Sequence, residues 1–298
     1  MMLGVRTGAW AKNGSPTPAA YGGLRFTAEA DNSSVQLTAV GSAPVVTLVK
    51  SFDGVNWEAY AVGEVIDLPS TGDFVYLAAG EGGNETFGSS TSAYHQFVIN
   101  GLVAASGDIT SLRRFDLEQT TLANYCYCRM FQNCIGLMSA PELPATTLAN
   151  YCYFSMFYGC TGLTSAPELP ATTLASHCYR NMFYGCKGLT NAPELPATTL
   201  AIYCYAAMFG GCKGLTSAPE LPATTLKTQC YAYMFEGCKN ISIIKIHFTA
   251  WDISSLSGKT NGWVSGVASI GTFYKPTALP EEYGTGKIPT GWTVVNID

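Results

Sequence analysis

Two rhythms of apolar residues divide the chain. In the first, Leu24, Phe26 and Ala28 alternate with Arg25, Thr27 and Glu29, and Val35, Leu37 and Ala39 repeat the alternation after the turn-prone Asp31-Asn32-Ser33-Ser34. Period two sends one set of side chains to a core and the other to water, which predicts half-buried strands. Further strands are predicted at 45–51, 57–60, 64–68, 73–79 and 95–103. Turn signals every ~8–12 residues then predict an antiparallel β-sandwich of immunoglobulin or fibronectin type over residues 23–106. In Ser51-Phe52-Asp53-Gly54-Val55-Asn56-Trp57 the Asp-Gly pair makes a hairpin tip, and Trp57 packs back on the sheet. The Gly/Ser/Thr/Asn-rich stretch 80–92 reads as a mobile loop. Residues 1–22, with Ser15-Pro16-Thr17-Pro18, read as an extended arm.

The second rhythm is a repeat. Ala-Pro-Glu-Leu-Pro-Ala-Thr-Thr-Leu begins at Ala140, Ala166, Ala192 and Ala218, a period of 26 residues without slippage. Five coils start at Leu122, Leu148, Leu174, Leu200 and Leu226, each with Cys at its fifth position, Met-Phe at the ninth and tenth, and Cys at the thirteenth. One such coil cannot bury its own apolar side, so neighbours must stack as a solenoid. Tyr153, Met156, Phe157 and Cys160 follow the i, i+3, i+4, i+7 spacing of a helix face. The proline-broken Leu163–Pro170 stretch reads as a short strand. Each coil is therefore predicted to be strand, turn, short helix, turn. The fold expected is α+β: an N-terminal antiparallel sandwich, a parallel-stranded solenoid over 107–248, and a cap over 249–298. Strands are predicted in the cap at 271–274 and 292–295, and an unbroken apolar strand at 241–248. The sandwich and residues 107–115 would close the other end.

The frame Met-Phe-x-x-Cys-x-x-Leu-x-x-x-x-x-Leu-Pro, as in Met156 to Pro170, resembles the BspA-type leucine-rich repeat over roughly residues 109–248. It departs from that family in Met where the family has Ala, and in Pro-Glu between the strand's apolar positions. The resemblance implies a leucine-rich-repeat solenoid and a surface-displayed binding or adhesion module, of the kind found in gut anaerobes and their phages.

Composition narrows the function classes. The chain of 298 residues carries 16 Lys+Arg against 21 Asp+Glu, a net charge of -5, so no basic stripe is available to neutralise nucleic-acid phosphates. No apolar run reaches the ~18–20 residues of a membrane helix. Taken as the native start, Met1 to Val5 followed by Arg6 is too short for a secretory signal.

Repeated positions also concentrate candidate chemistry. All eleven cysteines lie between Cys126 and Cys238. They read as buried thiols in two columns, with disulfides across each coil or a metal site as alternatives. Glu142, Glu168, Glu194 and Glu220 recur at one phase, as a solvated row, a calcium site or a catalytic pair. His177 adjoins Cys178, which suggests a Cys–His nucleophile, but it holds a slot that Tyr125, Tyr151 and Tyr203 fill in other coils, so a rim residue is expected.

Packing fixes the repeated positions, so the differing ones point outward. Tyr151, Phe154, Tyr158, His177, Arg180, Tyr184, Tyr203 and Tyr233 form the candidate exposed binding face, with neutral drift on a solvated surface as the alternative. The function expected is non-enzymatic attachment to a host-surface protein or glycan, without cofactor or metal. The arm and sandwich would contact other proteins of the assembly, and a homo-oligomer is compatible with this. A phage or prophage virion component (fibre, tail or head decoration) is the preferred context and a bacterial cell-surface adhesin the alternative. A purely structural coat element, or a glycan-active enzyme working through Asp53 to Trp57, are the competing classes.

Overall fold

The structure, a computed structural model, describes residues 23–114, 121–251 and 258–297. The predicted arm at 1–22 and Phe115 lie outside the described residues. Among the described residues thirteen strands form three sheets. The first strands are β1 (Arg25–Ala28), β2 (Ser33–Val40), β3 (Leu48–Ser51), β4 (Glu58–Tyr60) and β5 (Val65–Leu68). Then come β6 (Phe74–Ala79), β7 (Gly88–Ser90), β8 (Ala93–Asn100) and β9 (Val103–Ser106). The repeat region and C-terminal segment add β10 (Leu137–Ser139), β11 (Ile243–Lys245), β12 (Thr272–Pro276) and β13 (Thr293–Ile297). One sheet runs β10-β9-β1-β6-β3-β4, a second β5-β2-β8-β7, and a third β11-β12-β13.

The first two sheets make the expected sandwich. Phe26 of β1 meets Phe97 of β8 across the core at 4.9 Å between ring centroids. The predicted strand at 95–103 is two strands, because Gly101 at φ 73° turns the chain between β8 and β9. The stretch predicted as a mobile loop holds β7 and the fully buried Phe87.

The predicted α+β class is overturned. The chain is nearly all β, 28% strand and 2% helical, and its three sheets are separate. None of them forms a solenoid, so the leucine-rich-repeat solenoid of parallel strands and short helices is not what this repeat builds. The only helical element among the described residues is a single 3-10 turn at Ile109–Leu112.

What the repeat forms instead follows from where its N–H groups go. In the second coil Tyr151, Tyr153, Ser155, Phe157 and Gly159 donate to the carbonyls of Ser176, Cys178, Arg180, Met182 and Tyr184 in the third. The intervening Cys152, Phe154, Met156, Tyr158 and Cys160 donate three residues back within their own coil. Inter-coil bonds and turns alternate residue by residue, so this run of backbone satisfies its donors without helix or sheet. Every fourth residue is left-handed: Tyr151 at φ 58°, Ser155 at 51° and Gly159 at 73°. That recurrence forbids an α-helix. It also gives the inward positions a period of four, in the pairs Cys152/Tyr153 and Met156/Phe157 and then Cys160, all fully buried. The predicted helix face samples this four-residue period, which shares i, i+4 spacing with a helix.

Prolines explain why no sheet runs through the other half of each coil. Pro lacks the donor that a ladder needs. Pairing there shrinks to isolated bridges such as Thr121↔Thr147, Thr147↔Thr173 and Ser165↔Asn191. Where the last coil has Ile243–Lys245 without proline, a strand does form and pairs with β12.

Two ring columns run through the stack. Tyr127, Tyr153, Tyr179, Tyr205 and Tyr231 are spaced 5.7–6.0 Å, with interplanar angles of 13° or less. Phe131, Phe157, Phe183, Phe209 and Phe235 are spaced 5.5–5.9 Å. The sandwich starts both columns: Phe87 stacks on Tyr127 at 6.1 Å and Phe97 on Phe131 at 5.1 Å. At the far end Tyr231, Tyr233, Phe235 and Gly237 donate to Lys259, Asn261, Trp263 and Ser265. Residues 258–266 are thus a sixth rung without the repeat's sequence signature. Its Trp263 lies 6.4 Å from Tyr231 and 6.2 Å from Phe235, closing both columns. The segment predicted as a separate cap therefore begins by continuing the stack.

Candidate functional site

In the first four coils the left-handed residue at the fourth position carries its side chain to the outer side. Tyr125, Tyr151, His177 and Tyr203 stack there at 4.9, 4.4 and 4.5 Å. Beside them runs a column in which rings and guanidinium groups alternate. Arg129 lies 5.7 Å from the Tyr94 ring and 5.4 Å from Phe154. Arg180 lies 5.9 Å from Phe154 on the next coil and 5.3 Å from Tyr203. Phe154 is thus held between two cations, and Tyr151 meets it at 5.7 Å. Such contacts contribute ~0.5–2 kcal/mol each.

This surface is locally cationic on an acidic protein. Arg129 donates from Nη1 to Gln132 Oε1 at 2.9 Å, while its Nε is shut from water and has no partner among the described residues. Neither Arg129 nor Arg180 pairs with a carboxylate among the described residues. His177 adds no charge at neutral pH: burial between the two phenols, with the Arg180 charge beside it, lowers its pKa to about 4. Its Nδ1 lies 2.7 Å from Ser176 Oγ.

The predicted face separates into three parts. Tyr151, His177, Arg180 and Tyr203 come together with Phe154, but Phe154 is 7% exposed and serves as the filling between two arginines rather than as a free ring. Tyr158 and Tyr184 make a separate stack at 5.1 Å, with Tyr184 lying over Gly210. Tyr233 belongs to the C-terminal end, where its hydroxyl accepts from Asn261 Nδ2 at 2.9 Å. Arg129, Tyr125 and Tyr94 join the face without having been predicted for it. The first two occupy differing phases of the repeat, so the pattern could have found them. Tyr94 comes from β8 of the sandwich, which the repeat frame does not reach.

The other candidates resolve as follows. All eleven cysteines are free and buried. Burial pushes Cys126 up to about 11 and Cys134 up to about 12. The second cysteine column donates Sγ–H to the Phe carbonyl of the preceding rung, at 2.9 Å from Cys160 to Phe131 and 3.0 Å from Cys186 to Phe157. Cys178 is sealed in the core with its pKa raised well above that of a free thiol, so no thiolate stands beside His177. Glu142, Glu168, Glu194 and Glu220 are exposed. Shallow clefts of about 420 and 430 Å³ lie between successive Pro-Glu-Leu-Pro segments. Glu220 is held by Lys245 Nζ at 2.9 Å and His247 Nε2 at 2.6 Å, which together lower its pKa. Among the described residues no three His, Cys, Asp or Glu side chains converge as a metal site. Asp53 is consumed by its hairpin, accepting from Val55 N at 2.8 Å and Asn56 N at 2.7 Å, which holds its carboxyl far below the usual range.

No family model, curated protein or solved structure matches this chain. The arrangement itself offers a stacked row of ring edges and two guanidinium groups set against aromatic rings.

Proposed function

We propose that the protein is a non-enzymatic attachment module that binds anionic groups of a host-surface protein or glycan through the Arg129–Phe154–Arg180–Tyr203 face. The observation that carries this reading is the pair of guanidinium groups clamped by rings, lacking carboxylate partners among the described residues, on a chain whose net charge is -5. A guanidinium set against a ring offers paired donors to carboxylate or phosphate. Ring faces in the adjoining stack are used up by one another, so their edges and hydroxyls, rather than their faces, are what a ligand meets. The preferred setting is a virion component, with the sandwich joining the assembly and the stack projecting the binding face.

A retention assay on host envelope extracts and glycan arrays tests it. Changing Arg129 and Arg180 together to Gln should reduce retention at least tenfold, and raising salt should weaken the wild type. Retention unaffected by the double change would refute the assignment.

A further inference from the structure

A line of clefts runs along the stack where successive Ala-Pro-Glu-Leu-Pro segments lie side by side. Three recur at the period of the repeat, of about 420, 430 and 340 Å³, between the first and second, second and third, and third and fourth segments. Each shares a wall with the next, so they make one groove. Leu143, Leu169 and Leu195, nearly closed from water, line it together with proline rings, and Glu142, Glu168 and Glu194 stand exposed along it. Among the described residues no Lys, Arg or His lies within ion-pair distance of these three carboxylates. The fourth, Glu220, shows what the row accepts, because Lys245 and His247 hold it.

One segment of the chain carries the opposite charge and joins the fold at the far end of this row from Lys245. Residues 1–22 contain Arg6 and Lys12 and no Asp or Glu, whereas residues 115–120 and 252–257 contain acidic side chains and no basic ones. Gly23, which follows the basic segment directly, bridges Asp108, and Asp108 bridges Glu142. Backbones so paired lie ~4.8 Å apart, which places Gly23 about 10 Å from the rung of Glu142, with Glu194 about 10 Å further on. Lys12 precedes Gly23 by eleven residues. An extended chain of that length spans ~36 Å, so the whole row is within its reach.

We propose that residues 1–22 dock in this groove of their own chain, with Arg6 and Lys12 answering two of the three carboxylates. The proline rings offer an apolar wall to the stems of both side chains while the charged heads meet the row. Exposed ion pairs are individually weak, so a separate basic peptide would be held poorly. Attachment at Gly23 makes the docking intramolecular, at a local concentration of roughly millimolar that no separate partner enjoys. Pro16 and Pro18 in the tether reduce the conformational freedom that docking removes. None of these residues belongs to the Arg129–Arg180 face, so either proposal can fail without the other.

Zero-length carbodiimide coupling of the full chain, read by peptide mass spectrometry, should join Lys12 to Glu142, Glu168 or Glu194. In an equal mixture of ¹⁵N-labelled and unlabelled chains, the coupled peptides should be wholly heavy or wholly light. Trypsin cleavage after Lys12 should be at least threefold faster in the E142Q/E168Q/E194Q variant than in the wild type, and salt of about 0.5 M should remove that difference. If the triple variant is unstable, Lys12→Glu, which leaves the stack's own sequence intact, should speed cleavage after Arg6 by a similar factor. Coupled pairs of one heavy and one light peptide would give the groove to a second copy and overturn docking within the chain. Lys12 coupled to none of the row, or mainly to carboxylates elsewhere, would overturn it too, as would cleavage rates equal in the wild type and both variants.

Discussion

Gly185 and Gly188 stand three residues apart in the third coil, and alanine should destabilise each for a different reason. Gly185 has φ +74°, and a Cβ built on it meets nothing nearer than Gly159 Cα at 3.9 Å. G185A therefore carries only the left-handed backbone penalty, about 1–2 kcal/mol. Asn133 holds the same phase in the first coil at φ 60°, so G185N should be the milder change. Gly188 needs no left-handed backbone, but a Cβ there would lie 2.7 Å from Thr161 O and 3.1 Å from Leu163 O in the coil beneath. Ordinary contact begins at 3.4 Å, so the two coils must part locally by the difference. The bonds Tyr153→Cys178, Phe157→Met182 and Gly159→Tyr184 measure 3.0, 2.9 and 2.8 Å, and such a lift stretches them beyond useful length. With each worth about 1 kcal/mol net, and partial relaxation allowed, G188A should be destabilised by about 2–4 kcal/mol. Urea unfolding followed by circular dichroism gives both values. Hydrogen exchange should show faster opening at the Phe157 amide in G188A but not in G185N. A G188A loss no greater than that of G185A would refute the close stacking of the coils.

Further outcomes follow from the same packing. Thiol titration at pH 8 should find no fast-reacting cysteine in the folded protein and eleven after denaturation, because burial lifts their pKa values and hides the sulfurs; several fast thiols in the native state would contradict the buried columns. His177 binds a proton less readily folded (about 4) than unfolded (6.5), so between these values the unfolded chain takes up more protons and stability falls as pH drops through that window. His177→Tyr, the residue that fills this phase in the neighbouring coils, should lessen the fall in melting temperature between pH 7 and pH 4.5; an equal fall in both proteins would rule out His177 as its source. Phe183→Ala removes a fully buried ring stacked on Phe157 and Phe209, and should destabilise by about 3–5 kcal/mol in the same urea assay; a change under about 1 kcal/mol would mean the column does not support the stack.

The candidate site is partly legible in the amino-acid order. Repetition marks which phases packing does not dictate, and Tyr151, His177, Arg180 and Tyr203 stand at such phases. Phe154 does too, yet it is buried, because an arginine from each adjacent coil closes over it. A linear pattern cannot show this, since Arg129 and Arg180 lie 51 residues apart and meet the same ring only through the stack.

The order of residues alone requires the 26-residue units to lie against one another. Cys, Tyr, Met and Phe at fixed phases give each unit more apolar surface than it can hide unaided. It also requires the sandwich, because alternation over short runs admits few other buried arrangements. The shape of each unit is set by its neighbours in space. An N–H can turn back within its own coil or cross to the next, and crossing is open only where a neighbour presents a carbonyl at the right height. That choice replaces the expected helix with a ribbon of alternating bonds. It lets Phe87 and Phe97 of the sandwich act as the first rung, and it draws residues 258–266 into a sixth rung that no repeat motif announces.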